Sequence, residues 1–233
     1  MNKDILKKIL PHLIAVIIFL LVAVLFCKPV LEGQALNQYD TMSWRAMSKN
    51  AFDYKEAHGH FPLWNPNLFS GMPNYQVALE GKSILPNMVA VLSLWMPKPI
   101  NFFLVASISF YILCVVLRLR PVIGILGGLA FAFATYNPII ISVGHESKMW
   151  AIAFIPLLMA GLFALFEKKY WLGLAFTTFG IYQQIGVNHF QITYYAIFIA
   201  AAISICYLVK YIKEKDWKHI GLTAGLVLVA AVI

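Results

Sequence analysis

The chain has 233 residues, of which 61% are hydrophobic and 12% are charged, and its mean hydropathy is +0.77. These values exclude an ordinary soluble domain and predict an integral membrane protein. The formal net charge is +8, but the basic residues are scattered between apolar segments and form no stripe interleaved with aromatic residues. Membrane topology explains this charge better than nucleic acid binding, so we expect no nucleic acid partner.

Seven apolar segments are predicted to be transmembrane helices, because about 20 apolar residues are needed to cross a bilayer. They are residues 9–27, 99–117, 122–143, 149–166, 171–187, 191–209 and 220–233. The first segment has no small-residue cleavage site after it, which favours an uncleaved helix over a signal peptide. The last segment ends at the final residue without a flanking charge. The sequence therefore predicts an all-α polytopic membrane protein, of which these residues are the N-terminal part.

The distribution of Lys and Arg predicts that the N-terminus is cytoplasmic. With alternating crossings, eleven basic and four acidic residues fall on the N-terminal side, and seven basic and six acidic residues fall on the other. Cytoplasmic loops carry the larger excess of basic residues. The apolar segment 83–96 is too short to cross, so we expect it to lie on the membrane surface or to re-enter. Residues 28–98 then form one long extracytoplasmic loop.

This long loop has the composition of a folded segment. Residues 39–57 are predicted to form an amphipathic helix, and its apolar side is expected to hold Met42, Ala46 and Met47. In residues 59–76, GHFPLWNPNLFSGMPNYQ, the prolines exclude a regular helix, and aromatic residues such as Trp64 and Tyr75 offer flat faces. A flexible spacer would instead be rich in Ser and Gly and poor in aromatic residues.

Polar and ionisable residues gather on the predicted extracytoplasmic side, whereas the other side carries mainly short Lys and Arg turns. They lie in the long loop, in the turn SVGHESKMWA at 142–151, and in YQQIGVNHFQITYY at 182–195. Polar residues at membrane depth are costly and usually face a cavity or a partner. The candidate site residues are Asp40, Arg45, Trp64, Asn65, His145, Glu146, Lys148, His189 and Gln191.

Each candidate also has a purely structural explanation. Asp40 can be the N-cap of the predicted helix, and the residues alone favour this as much as a catalytic role. His145 and Glu146 can form a solvated turn, Lys148 can extend towards lipid headgroups, and His189 can be an interfacial histidine. The convergence of these polar residues on one side is what favours a functional site.

Four stretches, in this order, resemble the N-terminal region of YfhO-like bacterial membrane proteins. They are YDTMSWRAMSKNAF, HFPLWNPNLFSGMPNYQ, GHESKMWAIAFIPLLMAGL and GVNHFQITYY, and the PLWNP and SGMP pieces are the most specific. The resemblance implies the GT-C class of glycosyltransferases, a helical bundle with a long first extracytoplasmic loop in the bacterial cytoplasmic membrane. It implies transfer of a sugar from a polyprenyl-phosphate donor to an envelope glycan or lipid acceptor, among membrane lipids.

The resemblance also implies roles for individual residues. Asp40 lies where GT-C enzymes keep an acidic residue, so it is the expected general base for the acceptor hydroxyl. Arg45, Lys148 or a histidine would stabilise charge on the departing phosphate, and Glu146 would orient the acceptor or bind a cation. The other expected substrate-binding residues are Trp64, Asn65, His145, His189 and Gln191. The acidic Asp-x-Asp pair of many GT-C enzymes is absent, which leaves a divalent cation cofactor and its metal ligands undecided.

Two other classes of function compete with transfer. A transporter or flippase of lipid-linked glycan intermediates would place ionisable or helix-breaking residues near the bilayer midplane. The predicted helices carry almost no charge in their middles, although Pro138 and Pro156 fall within two of them. A scaffold without catalytic activity would need Asp40 only as a cap. The motifs of zinc metalloproteases and serine hydrolases are absent.

Overall fold

The computed structural model describes residues 3–78 and 88–232, which are mostly helical. The elements in chain order are α1 (Lys3–Phe26), α2 (Lys28–Leu31), α3 (Tyr39–His58), β1 (Trp64–Asn65), β2 (Met72–Pro73), a 3-10 turn (Asn74–Gln76), α4 (Met88–Leu92), α5 (Ile100–Val116), α6 (Pro121–Ala132), α7 (Tyr136–Val143), α8 (Glu146–Phe166), α9 (Tyr170–Gly186), α10 (Phe190–Lys213) and α11 (Trp217–Val232). Strands β1 and β2 form a small antiparallel hairpin, which the prediction of an all-α chain did not include.

Three of the described helices have the length and composition to cross a membrane, namely α1 over Ile5–Phe26, α8 and α10. Helices α6 and α7 provide a fourth if they are counted as one bent span, and α5 and α11 are apolar but shorter. These apolar helices indicate a membrane protein. Each segment predicted to cross is helical over most of its length, while the number of crossings stays a prediction.

The short apolar segment 83–96 falls partly outside the described residues, since 79–87 are not among them. Its described part contains α4, a helix of five residues. A helix of this length is far too short to cross a bilayer. The described part is therefore consistent with the prediction that this segment does not cross.

The prediction of one continuous helix over 122–143 is wrong, because α6 and α7 meet at a bend of 41°. Pro138 has no backbone N–H and is best accommodated in the first turn of a helix, and α7 begins two residues before it. The side chain of the buried Asn137 donates from Nδ2 to the carbonyl oxygens of Phe131 (2.8 Å) and Ala132 (3.2 Å). Bonds from this side chain thus satisfy carbonyl groups that the end of α6 leaves free.

Helix α8 forms the centre of the bundle. Its apolar window is 78% buried, compared with 17% for α1 and 11% for α10. It packs on α9 through glycines, because a Cβ at Gly161 would lie 2.4 Å from the backbone nitrogen of Thr177. Small residues that let two backbones approach are typical of packing between membrane helices.

Gly124 and Gly128 on α6 also lie at a close helix contact. A Cβ at Gly124 would lie 2.8 Å from the Tyr111 ring, and a Cβ at Gly128 would lie 2.8 Å from the carbonyl oxygen of Ser107. Both partners belong to α5. The four-residue spacing of these glycines, which indicates close packing, therefore matches the structure.

Helix α3 confirms the predicted helix in the long loop, but its predicted apolar side does not pack against the rest of the protein. Met42 and Met47 are exposed, whereas Ser48 and Ala51 are buried. The start of α3 lies close to the turn between α7 and α8, where a Cβ at Gly144 would lie 2.6 Å from Thr41 Oγ1. This close approach positions the first turn of α3 at the candidate site.

Candidate functional site

The central feature of the candidate site is an ion pair between Asp40 and His145. Asp40 Oδ2 lies 3.0 Å from His145 Nε2, and both side chains are about half exposed, at 51% and 49%. Asp40 is the second residue of α3, and the N-cap is Gln38, which makes no side-chain capping bond. The structural explanation of Asp40 as an N-cap is therefore wrong. Its carboxylate faces an imidazole, in a first helical turn where negative charge is favoured.

The backbone of the α7–α8 turn fixes the geometry of this pair. Gly144 has a φ of +105°, and a Cβ there would lie 2.6 Å from Thr41 Oγ1. Gln38 Nε2 donates a hydrogen bond of 2.7 Å to the carbonyl oxygen of Ile141. Because both contacts join the start of α3 to this turn, the His145 ring is held beside Asp40 by packing that any larger residue at position 144 would disturb.

Glu146 forms an ion pair with Lys98, which precedes α5. Glu146 is the first residue of α8, where its charge favours the helix N-terminus. Glu146 would therefore have to orient an acceptor while it is paired with Lys98. Lys98 and Glu146 are separated by 48 in the sequence, and no sequence pattern pairs them. Lys98 was therefore not among the predicted site residues.

A second histidine lies close to this group. His189 caps α10, and its Nδ1 accepts a weak hydrogen bond of 3.4 Å from the backbone N–H of Ile192. Burial lowers the pKa of His189 below its ordinary value. A backbone hydrogen bond of the ring opposes this lowering, and the interactions with Lys148 and His145 add to it. His145, Lys148 and His189 thus lie together near the Asp40 carboxylate, and Lys148 supplies a positive charge there.

Acidification is expected to destabilise the fold through His189. Because its pKa in the folded protein is lowered, the unfolded chain binds more protons as the pH falls below about 6.5. The stability that the neutral ring contributes is present above that pH and is lost below it. We expect His189→Gln to flatten the decrease in Tm between about pH 7 and pH 5, as measured by thermal unfolding in detergent.

His58→Gln is the matched control, because His58 is an exposed histidine on α3. This variant should keep the pH dependence of Tm seen in the unchanged protein. An unaltered pH dependence in His189→Gln would contradict the account.

A cavity of about 540 Å³ is lined by residues of α3, of the loop after it, of the start of α8 and of the turn between α9 and α10. Trp44, one helical turn after Asp40, and Ser147, two residues after His145, both line it. Its other aromatic lining residues are Phe52, Phe61 and Tyr75. Cavities of a few hundred Å³ with aromatic walls and a few polar groups are typical of small-molecule sites.

The aromatic wall of this cavity is held in place by its own contacts. The Trp44 indole N–H donates to the carbonyl oxygen of Val77 at 2.7 Å. The Phe52 ring lies edge-on to the rings of Trp44 and Phe61, at centroid distances of 6.0 and 5.2 Å. Polar groups come from Lys55, whose Nζ lies 4.7 Å from the centroid of the Phe61 ring, and from the loop at Asn188. The cavity therefore combines flat faces with a cation.

Two predicted residues of the Pro-rich stretch do not reach this site. Asn65 is only 2% exposed. Its Oδ1 accepts a hydrogen bond from the backbone N–H of Asn67, and its Nδ2 donates to the carbonyl oxygen of Met47, so its carboxamide joins the loop to α3. Trp64 packs on Gly71, where a Cβ would lie 2.7 Å from the indole nitrogen. Neither residue lines the cavity.

Arg45 and Gln191 are also not brought to the pair. Arg45 follows Asp40 by five positions, which turns it by about 140° around α3. Gln191 donates from Nε2 to the Tyr195 hydroxyl at 2.9 Å, one turn along its own helix. The structure therefore gathers Asp40, His145, Glu146, Lys148 and His189 out of the predicted set.

The residues missed from the sequence are mostly aromatic or buried. Gln184 is 3% exposed and links two helices, because its Nε2 donates to the carbonyl oxygen of Ala151 at 2.7 Å and its Oε1 accepts from Thr193 at 3.0 Å. The spacing of Trp44 from Asp40 was a usable signal, since residues four apart share a helix face.

Metal ligands do not gather at this site. Over residues 3–78 and 88–232, no group of three or more His, Cys, Asp or Glu side chains is arranged to hold a metal ion.

The chain was also compared with known proteins. No family model, no curated protein and no solved structure matches it.

Proposed function

We propose that the protein is a membrane glycosyltransferase that moves a sugar from a polyprenyl-phosphate donor to an envelope glycan or lipid acceptor. The observation that carries this proposal is the half-exposed Asp40–His145 pair, whose neighbours in sequence, Trp44 and Ser147, line an aromatic cavity. A carboxylate that a histidine orients is suited to accept a proton from a hydroxyl group. The motifs that resemble YfhO-like proteins supply the class of donor and acceptor.

In the proposed reaction, Asp40 accepts the proton of the acceptor hydroxyl. The oxygen then forms a bond to the anomeric carbon of the donor sugar, and the bond between that carbon and the phosphate oxygen breaks. The electron pair leaves with the lipid phosphate, so the charges balance without a further reactant. His145 stabilises the carboxylate through its Nε2, which lies 3.0 Å from Oδ2.

Lys148 and His189 fit the second requirement, which is to stabilise charge on the departing phosphate. Lys148 supplies a full positive charge. Because Nδ1 of His189 accepts a backbone hydrogen bond, the proton of its neutral ring lies on Nε2, where it can be donated to a phosphate oxygen. These roles place the phosphate between the two residues and the acceptor on the side of Asp40.

This proposal includes a location and a topology. Helix α3 and the turn 142–151 would face the outside of a bacterial cytoplasmic membrane, with a cytoplasmic N-terminus and a GT-C-like bundle between. The 21 residues of α8 separate His145 from the lysines at 168–169 by about 30 Å, the thickness of a hydrocarbon core. The excess of lysine at that far end supports its cytoplasmic assignment.

The aromatic cavity is the proposed place for a sugar ring of the acceptor. Trp44→Ala is expected to raise the KM for the acceptor about tenfold with a small change in kcat, because stacking on an aromatic face acts on binding before transfer. Steady-state kinetics with varied acceptor concentration measure both constants. Trp64→Ala removes a loop tryptophan outside the cavity and should leave the KM unchanged. A raised KM in Trp64→Ala together with an unchanged KM in Trp44→Ala would contradict this assignment.

The proposed function is tested directly with purified protein in lipid nanodiscs. A panel of polyprenyl-phosphate hexoses is supplied together with a crude envelope extract that contains acceptors. Release of polyprenyl phosphate in equal amount to the sugar transferred would support the proposal. Movement of the intact lipid-linked sugar between leaflets without release would overturn it.

Transport is the second candidate, and the break between α6 and α7 favours it. Discontinuous helices line the substrate sites of many transporters. The break here is filled by the Asn137 side chain, whose hydrogen bonds go to the end of α6. No Asp, Glu, Lys, Arg or His residue lies within 133–137, so this candidate has weaker support than transfer.

A further inference from the structure

A second cavity, of about 680 Å³, lies between α8, α9, α10 and α11. Its lining is almost entirely apolar, with residues such as Leu158, Ile181, Ala201 and Val227. On α10 the lining positions run from Ile197 to Tyr211, which corresponds to about 21 Å along the helix axis. The cavity is therefore elongated parallel to the helices.

One end of this cavity is closed by a connected group of polar side chains. The Tyr211 hydroxyl donates to the carbonyl oxygen of Phe166 at 2.5 Å, and His219 Nε2 donates to the same oxygen at 3.2 Å. The Tyr170 hydroxyl donates to His219 Nδ1 at 2.8 Å. Both ring nitrogens of His219 and the Tyr211 hydroxyl are thus occupied by bonds within the protein, and this end of the cavity is polar.

Lysines surround this polar end. Lys210 Nζ lies 5.0 Å and Lys168 Nζ lies 5.8 Å from the centroid of the Tyr211 ring, which lines the cavity. The segments 167–169 and 210–218 together hold six lysines and three acidic residues. Asp216 is paired with Lys168 at 2.6 Å, whereas Lys210 has no ion pair among the described residues. The excess positive charge therefore lies directly at the end of an apolar channel.

We propose that this cavity binds one acyl chain of an anionic phospholipid, with the lipid phosphate between Lys168 and Lys210. The apolar lining and the length fit an acyl chain, and the lysines select a negatively charged headgroup. The neighbouring Trp217 is 61% exposed, as expected for a residue at headgroup depth. The site is about one bilayer thickness from Asp40, so it does not depend on the proposed transfer reaction.

Native mass spectrometry of the purified chain tests this proposal. The protein is mixed in detergent with phosphatidylglycerol, phosphatidylethanolamine or phosphatidylcholine, all with the same acyl chains. We expect phosphatidylglycerol to be retained at about tenfold lower lipid concentration than the other two. The double variant Lys168→Gln, Lys210→Gln should remove this preference, and Ala224→Phe, which fills the channel, should reduce retention of phosphatidylglycerol itself.

The matched control is the double variant Lys7→Gln, Lys8→Gln, which removes two exposed lysines from α1. It should retain phosphatidylglycerol as the unchanged protein does, and the Tm of every variant is measured to confirm folding. Equal retention of all three lipids by the unchanged protein would overturn the proposal. So would a lipid preference that survives both test variants, or a dimer mass in place of lipid adducts.

Discussion

Asp40→Asn is expected to lower the rate of sugar transfer by about 10²–10⁴-fold, the usual contribution of a general base. Asparagine has the same shape and can still hydrogen-bond to His145, but it does not accept the proton of an acceptor hydroxyl. Because Asp40 is 51% exposed, the substitution should leave the fold and the Tm nearly unchanged. The measurement is the initial rate of transfer in nanodiscs, together with the Tm of the same preparation.

Asp53→Asn is the matched control for this variant. Asp53 lies on the same helix and is paired with Lys49 at 2.7 Å, in an exposed i, i+4 pair far from His145. Exposed pairs of this kind contribute little to stability. Asp53→Asn should therefore keep full activity, and full activity in Asp40→Asn as well would remove Asp40 from the role of base.

Gly161→Ala is expected to destabilise the fold by about 1–3 kcal/mol or more, the range for inserting atoms into a packed interior. A Cβ at this position would lie 2.4 Å from the nitrogen and 2.5 Å from the Oγ1 of Thr177, and 2.9 Å from the carbonyl carbon of Phe176. Since two of these atoms belong to the backbone of α9, the whole helix has to move. Chemical or thermal unfolding in detergent measures the change.

Gly225→Ala separates this packing effect from the general effect of adding a methyl group to a helix. Nothing lies within 4 Å of a Cβ at Gly225 on α11, and alanine is a better helix former than glycine by about 1 kcal/mol. We expect Gly225→Ala to be neutral or stabilising. Equal stability of the two variants would contradict the close α8–α9 contact.

The helical segments could be predicted from the sequence because long apolar runs leave few alternatives in a membrane. The different effects of Pro138 and Pro156 could not be predicted from the sequence. Pro138 coincides with the break between α6 and α7, whereas Pro156 lies inside the continuous α8. There the backbone N–H of Leu157 finds a partner on another helix, the Ser109 hydroxyl at 3.0 Å. A proline's effect thus depends on neighbours that no local pattern reveals.

The site could be predicted in part for a similar reason. Asp40 and His145 each belong to a short polar stretch between apolar segments, so composition identified them. Their pairing, and that of Lys98 with Glu146, depends on how α3 lies across the bundle. Trp64 was the tryptophan predicted to bind substrate, because it lies in the most distinctive motif, whereas the cavity is lined by Trp44, which lies in an ordinary helical stretch. Only the fold distinguishes the two.

The most direct test of the proposed transferase is mass spectrometry of envelope glycans from three strains. These are the wild type, a strain that lacks the gene, and that strain carrying the gene with Asp40→Asn at normal protein level. The account predicts that one sugar modification is lost in the second strain and is still absent in the third, with the missing mass identifying the sugar. Full restoration of the modification by Asp40→Asn would contradict it.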